Sequence, residues 1–287
     1  MKRVLFLTDY GYTDAFAGIC RAIVTEAAPG VEVVDLTHGI PLGDVRRGAF
    51  VLESAVDHTG PALFLAVVDP GVGGDRRAVA LRAGEKIFVG PDNGLLLEAA
   101  ERAGGVAEAV EISSGPFVSA TRSHTFHGRD VFAPVAAALA RGEALEAAGE
   151  PLEPSDLVRL DLPSSSIGES EVETHVLVED GFGNLSLGVR VGGTARLPFG
   201  PGDVVSVRPE GGDSFEAPFV TTFDSAPAGS PLLFVDSTDR LAIAVTGVGG
   251  SAFAGADSAH PAALSVQRAE CRTRCHAFGS AAGGNSA

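Results

Sequence analysis

The stretch VLFLTDYGYTDAFAGICRAIVTEAAPGVEVVDL, residues 4–36, decides the fold class. Its two ends, residues 4–7 and 31–36, are short apolar runs bounded by turn residues, which is typical of buried strands. Between them apolar side chains recur at helical spacing. Asp14 is expected to cap that helix, and Pro29 with Gly30 ends it. A strand, a helix and a second strand in this order indicate an α/β domain.

The same alternation continues outward as far as Arg141. Further strands are expected at residues 62–68, 78–81, 87–89 and 106–112. Asp44 is expected to cap a second helix, and another helix begins near Asp130. Nearly continuous apolar strands that alternate with helices indicate a sheet buried on both faces. We therefore predict an N-terminal α/β domain over residues 1–165, with a mostly parallel sheet flanked by helices.

The pattern changes after Pro151. Residues 151–170 are rich in Pro, Ser and acidic side chains and are expected to form a linker. Short alternating runs separated by Gly- and Pro-rich turns follow, at residues 173–178, 204–207, 231–235 and 241–245. They predict a smaller all-β barrel domain over residues 166–264. The polar, small-residue segment 265–287 is expected to be a disordered tail.

The composition of the chain limits its function. Its 287 residues are 45% hydrophobic, enough for a sizeable core, and carry a formal net charge of −16. Such an acidic chain argues against nucleic-acid binding and fits anionic lipid poorly. No signal segment or membrane span is evident, so a cytoplasmic protein is expected. The three cysteines, Cys20, Cys271 and Cys275, imply no disulfide framework, and no metal site is predicted.

Four polar clusters stand out, and each ends a strand-like run with polar and Gly residues. They cover residues 8–14, 69–77, 123–130 and 179–184. Two weaker pairs, Phe223 with Asp224 and Asp236 with Ser237, are expected to join the fourth cluster as loop residues of the same domain. Ligands of open α/β sheets gather at the carboxyl ends of strands, so this placement points to a binding site.

Each cluster also has a purely structural interpretation. Asp14 is a preferred helix cap, and the glycines at 71, 73 and 74 match no phosphate-loop fingerprint, which leaves a tight turn and a site both open. His124 and His127 lack the partners of a common zinc motif, but lie beside Arg and Asp in a manner that favours proton chemistry. The fourth cluster suits a turn between strands, and Phe223 suits a core.

Together the clusters resemble one family, the S-adenosyl-L-methionine (SAM) hydrolases that form adenosine. These are also called SAM hydroxide adenosyltransferases and are relatives of the fluorinase and the chlorinase. Six segments in order carry the resemblance between residues 4 and 250: Thr8-Asp9-Tyr10-Gly11 with Thr13-Asp14, Val34-Asp35-Leu36-Thr37-His38, Val67-Val68-Asp69-Pro70-Gly71-Val72-Gly73, Val89-Gly90-Pro91-Asp92-Asn93-Gly94-Leu95, Thr125-Phe126-His127-Gly128-Arg129-Asp130 and Asp180-Gly181-Phe182-Gly183-Asn184.

The resemblance implies an α/β domain followed by a β-barrel domain, a homotrimer with active sites between subunits, and a water-activating trio of Asp69, Arg76 and His127. The fluorinase-like members are similar but carry Tyr at the positions of Asp69 and His127, and Ser at that of Gly128. A carboxylate at 69 repels an incoming halide. The implied reaction is therefore attack of water or hydroxide at the ribose C5′ of SAM, which releases adenosine and methionine.

The same resemblance assigns the substrate contacts. Asp9 would bind the ribose hydroxyls. Asp180 and Ser237 would bind the amino and carboxylate ends of methionine, Asn184 the adenine edge and Phe223 the adenine face. Phe182 is a further implied substrate contact. SAM is the substrate, and no cofactor is implied. Gly43 stands where fluorinase-like members use Trp against the adenine, and Thr238 where the fluorinase has Arg. Two alternatives stay open: chloride transfer that forms 5′-chloro-5′-deoxyadenosine, and a non-catalytic SAM or adenosine sensor.

Overall fold

The computed structural model describes residues 1–192, 196–247 and 263–269, and its first half is built on one seven-stranded sheet. The strands are β1 (Arg3–Thr8), β2 (Glu32–Thr37), β3 (Leu63–Val67), β4 (Ala78–Ala83), β5 (Lys86–Pro91), β6 (Val106–Glu111) and β7 (Glu150–Pro151). Their order is β2-β1-β3-β5-β4-β6-β7. Ladders β1·β2, β1·β3 and β3·β5 are parallel, and only β4 and β7 run in the opposite direction to the others. The predicted, mostly parallel sheet is confirmed.

Helices cover both faces of this sheet. They are α1 (Phe16–Ala27), α2 (Val45–Val56), α3 (Leu97–Arg102) and α4 (Ala133–Arg141). Along β1, Val4 and Phe6 pack with residues of α1 and α4, whereas Leu5 and Leu7 pack with residues of α2 and α3. The side-chain period of two in a strand therefore feeds two separate cores, and this explains why the central strands are apolar throughout.

The helix ends only partly follow the predicted caps. Asp44 caps α2, because its carboxylate accepts a 2.9 Å hydrogen bond from the Arg47 backbone N–H. The expected cap at Asp14 is wrong: α1 begins two residues later, after Ala15, and no side chain caps it. The helix predicted from Asp130 opens with a π-helical turn, Gly128–Phe132, before α4 continues it.

The expected linker is more structured than its composition suggests. After β7 the chain forms a 3-10 turn, Pro154–Asp156, and buries Leu157 in the core shared with α2 and α3. The Val158 backbone N–H donates to the Asp92 carboxylate at 2.9 Å. These contacts hold the segment against the sheet. Its content of Pro and Ser alone predicts only a linker.

The second half of the chain is an antiparallel, nearly closed barrel, as predicted. Its strands are β8 (Ser166–Ile167), β9 (Glu171–Glu179), β10 (Leu185–Arg190), β11 (Val204–Pro209), β12 (Phe215–Pro218), β13 (Pro231–Val235), β14 (Arg240–Val245) and β15 (Ala263–Arg268). The order is β12-β11-β15-β9-β10-β14-β13, with β8 paired to β9. An isolated bridge from Phe219 to Leu233 brings the two end strands together. Strands β8, β10, β12 and β15 are additional to the four runs found in the sequence.

Strand β15 falls partly in the predicted tail. It pairs with both β9 and β11, and Leu264 and Val266 point into the barrel core. The expected tail is therefore wrong for residues 265–268, where alternate burial of apolar side chains makes a strand. Residues 270–287 lie outside the described residues.

Helix α2 links the two halves. The Glu53 carboxylate accepts hydrogen bonds from Arg190 and from Arg240, both of the barrel, and the Arg47 guanidinium donates to the Glu179 carbonyl oxygen. Across the parts of the chain that the structure describes, no helix is long and apolar enough to cross a bilayer.

Candidate active site

The candidate site lies at the carboxyl ends of β1 and β3, in the middle of the sheet. These strands pair in parallel, with Thr8 opposite Val67. Asp9 directly follows β1, and Asp69 follows β3 by two residues. Parallel strands end at the same edge, so the register places both carboxylates there together, at the position where α/β sheets bind ligands.

Three side chains from two loops meet at this edge, namely Asp69, Arg76 and His127. The Arg76 Nε donates to both oxygens of the Asp69 carboxylate, at 2.9 and 3.1 Å, and the Arg76 Nη2 donates to Oδ2 as well. The same Nη2 lies 2.8 Å from the His127 Nδ1. The side chains of Asp69 and Arg76 are 5% and 11% exposed. The sequence-predicted trio is thus one connected, largely buried group.

The glycine-rich loop after β3 brings Arg76 back to Asp69. Backbone hydrogen bonds from Val72 to Asp69 and from Gly74 to Gly71 form consecutive tight turns. Gly73 has φ of +78°, and a Cβ there would overlap the His124 carbonyl oxygen. Only glycine fits this backbone and this approach. The turn and the site, which the sequence left as alternatives, are therefore one structure.

The hydrogen bond from Arg76 fixes the tautomer of His127. A guanidinium can only donate, so Nδ1 accepts and the proton of the neutral ring is on Nε2. Burial, and secondly the Arg76 charge, lower the pKa of His127 below its ordinary value. The imidazole is therefore neutral at physiological pH. Neither of its nitrogens is free to accept a proton while the contact with Arg76 holds.

Asp9 sits beside this group with one oxygen occupied. Its Oδ2 accepts a 2.9 Å hydrogen bond from the Gly43 backbone N–H. Burial raises the pKa of Asp9, and the nearby Asp69 charge adds to the effect. The neighbouring Thr8 hydroxyl pairs with the His38 Nδ1 at 2.8 Å and accepts from the Tyr10 N–H. These hydrogen bonds hold the loop that carries Asp9 against the segments of His38 and Gly43.

The remaining predicted residues form a second group, on the barrel. The Asp180 Oδ1 accepts from the backbone N–H groups of Phe182, at 2.8 Å, and Asn184, at 2.9 Å; the Asn184 side-chain amide donates to Oδ2 at 2.8 Å. The Phe182 ring is 82% exposed and that of Phe223 48%. Ser237 is also exposed.

Within the described residues, no hydrogen bond or ion pair connects this barrel group to the trio around Asp69. The predicted site residues of the described chain therefore form two groups, the first around Asp69 and the second around Asp180. Each has exposed aromatic or aliphatic side chains beside it, Tyr12 and Leu42 on the first and Phe182 and Phe223 on the second. Such exposed apolar groups are typical of interaction surfaces.

Comparison with known proteins identifies the family. The SAM hydroxide adenosyltransferase N-terminal domain matches residues 4–149, and the C-terminal domain of that family matches residues 174–273. The chain belongs to the SAM hydroxide adenosyltransferase family.

Relatives within and around this family are similar over most of their length. A protein of Salinispora arenicola named (R)-S-adenosyl-L-methionine hydrolase is 46% identical over 85% of this chain and 90% of its own. A protein of the same name from Thermus thermophilus is 38% identical, over 85% and 92%. A fluorinase of Actinoplanes is 27% identical, over 84% and 90%. The solved structure of a conserved protein from Thermotoga maritima is 33% identical, with a TM-score of 0.83, covering 92% of this chain and 100% of its own.

One residue of this SAM hydroxide adenosyltransferase site was missed in the sequence, namely Tyr10. Its ring packs edge-on against Phe126, and a Cβ at position 128 would overlap its hydroxyl group. Burial strongly raises the pKa of Tyr10, so the phenol stays protonated. A side chain at position 128 would therefore force the Tyr10 ring to shift. Tyr10 stood in a quoted motif, but nothing in the sequence placed it against residue 128.

No group of three or more His, Cys, Asp or Glu side chains in the described residues could hold a metal ion. His124 and His127 are thus not part of such a cluster. Cys20 is a free, buried thiol, and burial raises its pKa to about 12. Cys271 and Cys275 lie outside the described residues.

Proposed function

We propose that this protein hydrolyses SAM to adenosine and L-methionine by attack of water at the ribose C5′. The observation that carries the proposal is the buried contact of Asp69 with Arg76 and of Arg76 with His127. Relatives named (R)-S-adenosyl-L-methionine hydrolase, at 38% to 46% identity over most of the chain, support the substrate and the reaction.

The chemistry of SAM defines what the protein must supply. Methionine leaves as a neutral thioether from a sulfonium, so the sulfur needs no general acid. A new C5′–O bond forms as the C5′–S bond breaks, and the attacking water must lose one proton. Fixed positioning of water in line with the breaking bond supplies much of the catalysis, and a base supplies the rest.

In this proposal Asp69 is the base. Its oxygens keep lone pairs beyond those used by Arg76, whereas both nitrogens of neutral His127 are committed, Nδ1 as the acceptor from Arg76 and Nε2 as N–H. The water proton passes to the Asp69 carboxylate and then to solvent. Arg76 holds the carboxylate in one orientation, and His127 presents Nε2–H as a donor to the site. The negative charge of Asp69 also disfavours chloride or fluoride as the nucleophile.

Asp9 and the barrel residues hold the substrate. The free oxygen of Asp9 accepts from the ribose hydroxyls, which suits a vicinal diol. Asp180 and Ser237 receive the polar ends of methionine, and Asn184 the adenine edge. The exposed rings of Phe182 and Phe223 lie at the adenine side, where stacking of a base on an aromatic ring contributes ~1–3 kcal/mol.

We propose that the first and second groups form one active site between neighbouring subunits of a homotrimer, because no hydrogen bond or ion pair links them among the described residues of one chain. Mixing two inactive variants tests this directly. In mixed trimers, about a quarter of the sites would combine an intact first group, from an Asp180→Asn subunit, with an intact second group, from an Asp69→Asn subunit. Activity should therefore return to about a quarter of the wild-type value. If each subunit holds its own site, mixing restores no activity.

The reaction needs only SAM and water, so we propose no cofactor, and no nucleic acid or membrane partner. The proposed location is the cytoplasm. The buried, free thiol of Cys20 supports a reducing compartment.

The decisive assay uses SAM without halide, with the two sulfur epimers tested separately. We expect adenosine and methionine in equal amounts from the wild type, and loss of both with Asp69→Ala. Formation of 5′-chloro-5′-deoxyadenosine only when chloride is added would contradict hydrolysis. Tight SAM binding without any turnover would instead identify a sensor.

A further inference from the structure

A separate cavity lies between the two domains, and none of the residues that line it is a residue of the proposed active site. It has a volume of about 150 Å³, which is enough for several water molecules or a small organic ligand. Helices α2 and α3, the segment after β7, and strands β9, β10 and β14 enclose it. Its polar lining residues are Arg46, Glu53, Glu98, Ser165, His175 and Arg240.

Two buried polar atoms in this lining have no hydrogen-bond partner. They are the Nε of Arg240 and the Nε2 of His175, in side chains of residues that are only 8% and 3% exposed. A guanidinium Nε can only donate, so its missing partner is an acceptor. Buried polar groups are nearly always satisfied, and two orphaned atoms on one cavity point to an absent ligand or water.

The two arginines and two glutamates that line the cavity are not all paired with one another. The Glu53 carboxylate serves two guanidinium groups, accepting from Arg240 at 2.9 Å and also from Arg190. Arg46 lines the same cavity and has no hydrogen bond or ion pair with any residue in the described ranges. Glu98 is the one acid of the lining that is not already shared. A lining with an unpaired guanidinium group and orphaned N–H donors favours an acceptor, and a carboxylate binds such donors more strongly than a neutral acceptor does.

His175 lies close to both arginines of the lining. Burial lowers its pKa, and the charges of Arg46 and Arg240 lower it further. The ring is therefore neutral, and its Nδ1 lies 3.4 Å from the Ser165 hydroxyl. Gly188 makes room for it, because a Cβ at 188 would overlap the imidazole. The neutral ring can donate from Nε2 when Nδ1 accepts from Ser165.

The rest of the lining is apolar. Phe50, Leu160, Leu162 and Leu177 face the same space, and the Arg240 guanidinium lies 6.0 Å from the centre of the Phe50 ring. A bare inorganic anion would leave this wall in contact with water. A ligand with a short hydrocarbon body covers it.

We propose that this cavity binds a small aliphatic carboxylate, whose oxygens accept from the Arg240 Nε, the His175 Nε2 and the Arg46 guanidinium. Its hydrocarbon body lies against Phe50 and the leucines. Charge-assisted hydrogen bonds from arginine to a carboxylate are the strong ones, and all three donor residues already line the cavity. The site shares no residue with the proposed SAM site, so the proposal does not rest on the hydrolase activity.

Butyrate is the probe, and 1-butanol is the matched uncharged compound. Titration of the full chain is followed by calorimetry and by the NMR signals of the His175 ring. We expect butyrate to bind and to move the His175 signals, and 1-butanol to bind at least tenfold more weakly. Arg46→Gln should weaken butyrate about tenfold or more, since it removes one charged donor. Arg82→Gln, which alters an arginine paired with Glu108 outside the cavity, should leave binding unchanged.

Other outcomes overturn the proposal. Absence of butyrate binding, with His175 signals unmoved, means that the cavity holds water only. Equal affinity for butyrate and 1-butanol removes the role of the carboxylate, and equal affinity for chloride removes that of the apolar wall. If Arg46→Gln folds normally, as judged by its circular dichroism, and binds butyrate as tightly as the wild type, the assigned donor is wrong.

Discussion

Replacing Arg76 by Gln separates the chemical role of the trio from its structural role. Arg76 neutralises a carboxylate that is only 5% exposed and also donates to the His127 Nδ1. Removal of one partner of a buried ion pair typically destabilises a protein by about 3–5 kcal/mol. Because the Arg76 side chain is only 11% exposed, solvent screening reduces this destabilisation little.

We expect Arg76→Gln to lower the free energy of unfolding by about 3–5 kcal/mol in urea titrations. We also expect the SAM turnover rate to fall by about 10²–10⁴-fold, since the base is then misplaced. Adding Asp69→Asn to it should recover most of the lost stability, because the uncompensated charge is gone. It should recover no activity, because an amide cannot accept the proton.

Arg77 provides the matched control. It is the next residue, and its Nε donates at 2.9 Å to Asp92, whose side chain is 4% exposed. Arg77→Gln should therefore destabilise the fold but leave turnover of the folded protein within about threefold of the wild type. If Arg76→Gln loses less than about 1 kcal/mol, or if the double variant regains activity, the assigned roles are wrong.

Three further predictions concern the trio, its neighbour and the domain contact. Turnover should fall as the pH drops through the lowered pKa of His127, below 6.5, because the imidazolium cannot accept from Arg76; a pH–rate profile with no acidic decrease would contradict this. Gly128→Ser should abolish hydrolysis without creating chloride transfer, and Tyr10→Phe should partly restore it by removing the overlapping hydroxyl. Glu53→Gln should cost about 3–5 kcal/mol in urea unfolding, since two arginines lose their shared carboxylate; an unchanged midpoint would contradict it.

The sequence predicted the sheet well because its central strands are buried on both faces. Runs such as residues 62–68 are apolar throughout, and only a two-sided core explains that pattern. Asp44 was also predicted correctly as a cap. Asp14 was not, because a cap depends on where the backbone leaves the helical region, and α1 starts two residues later.

The barrel was predicted less completely. Strand β15 was partly assigned to a tail because the residues from Ser265 onward, such as Ser265 and Gln267, are mostly polar or small. Its alternate residues pack in the core, so its strand character depends on its pairing with β9 and β11. Pairing between segments far apart in the chain leaves only a weak signal within either segment.

The trio could be predicted from motif resemblance, but not its geometry. The contact of Arg76 with both Asp69 and His127 arises from the tight glycine turns and from the approach of the loop at His124. The close fit of Tyr10 and Gly128, and the cavity with its orphaned Arg240 and His175 nitrogens, depend on three-dimensional packing. No local sequence pattern carries that information.

The central claim is that a water oxygen becomes the 5′ oxygen of adenosine. It is tested by SAM turnover in water enriched in heavy oxygen, with the adenosine isolated and its 5′ hydroxyl analysed by mass spectrometry. The proposed mechanism predicts one heavy oxygen at the 5′ position of every adenosine formed by the wild type, and no product above background from Asp69→Asn. Adenosine without the label, or a labelled product formed equally by Asp69→Asn, would contradict it.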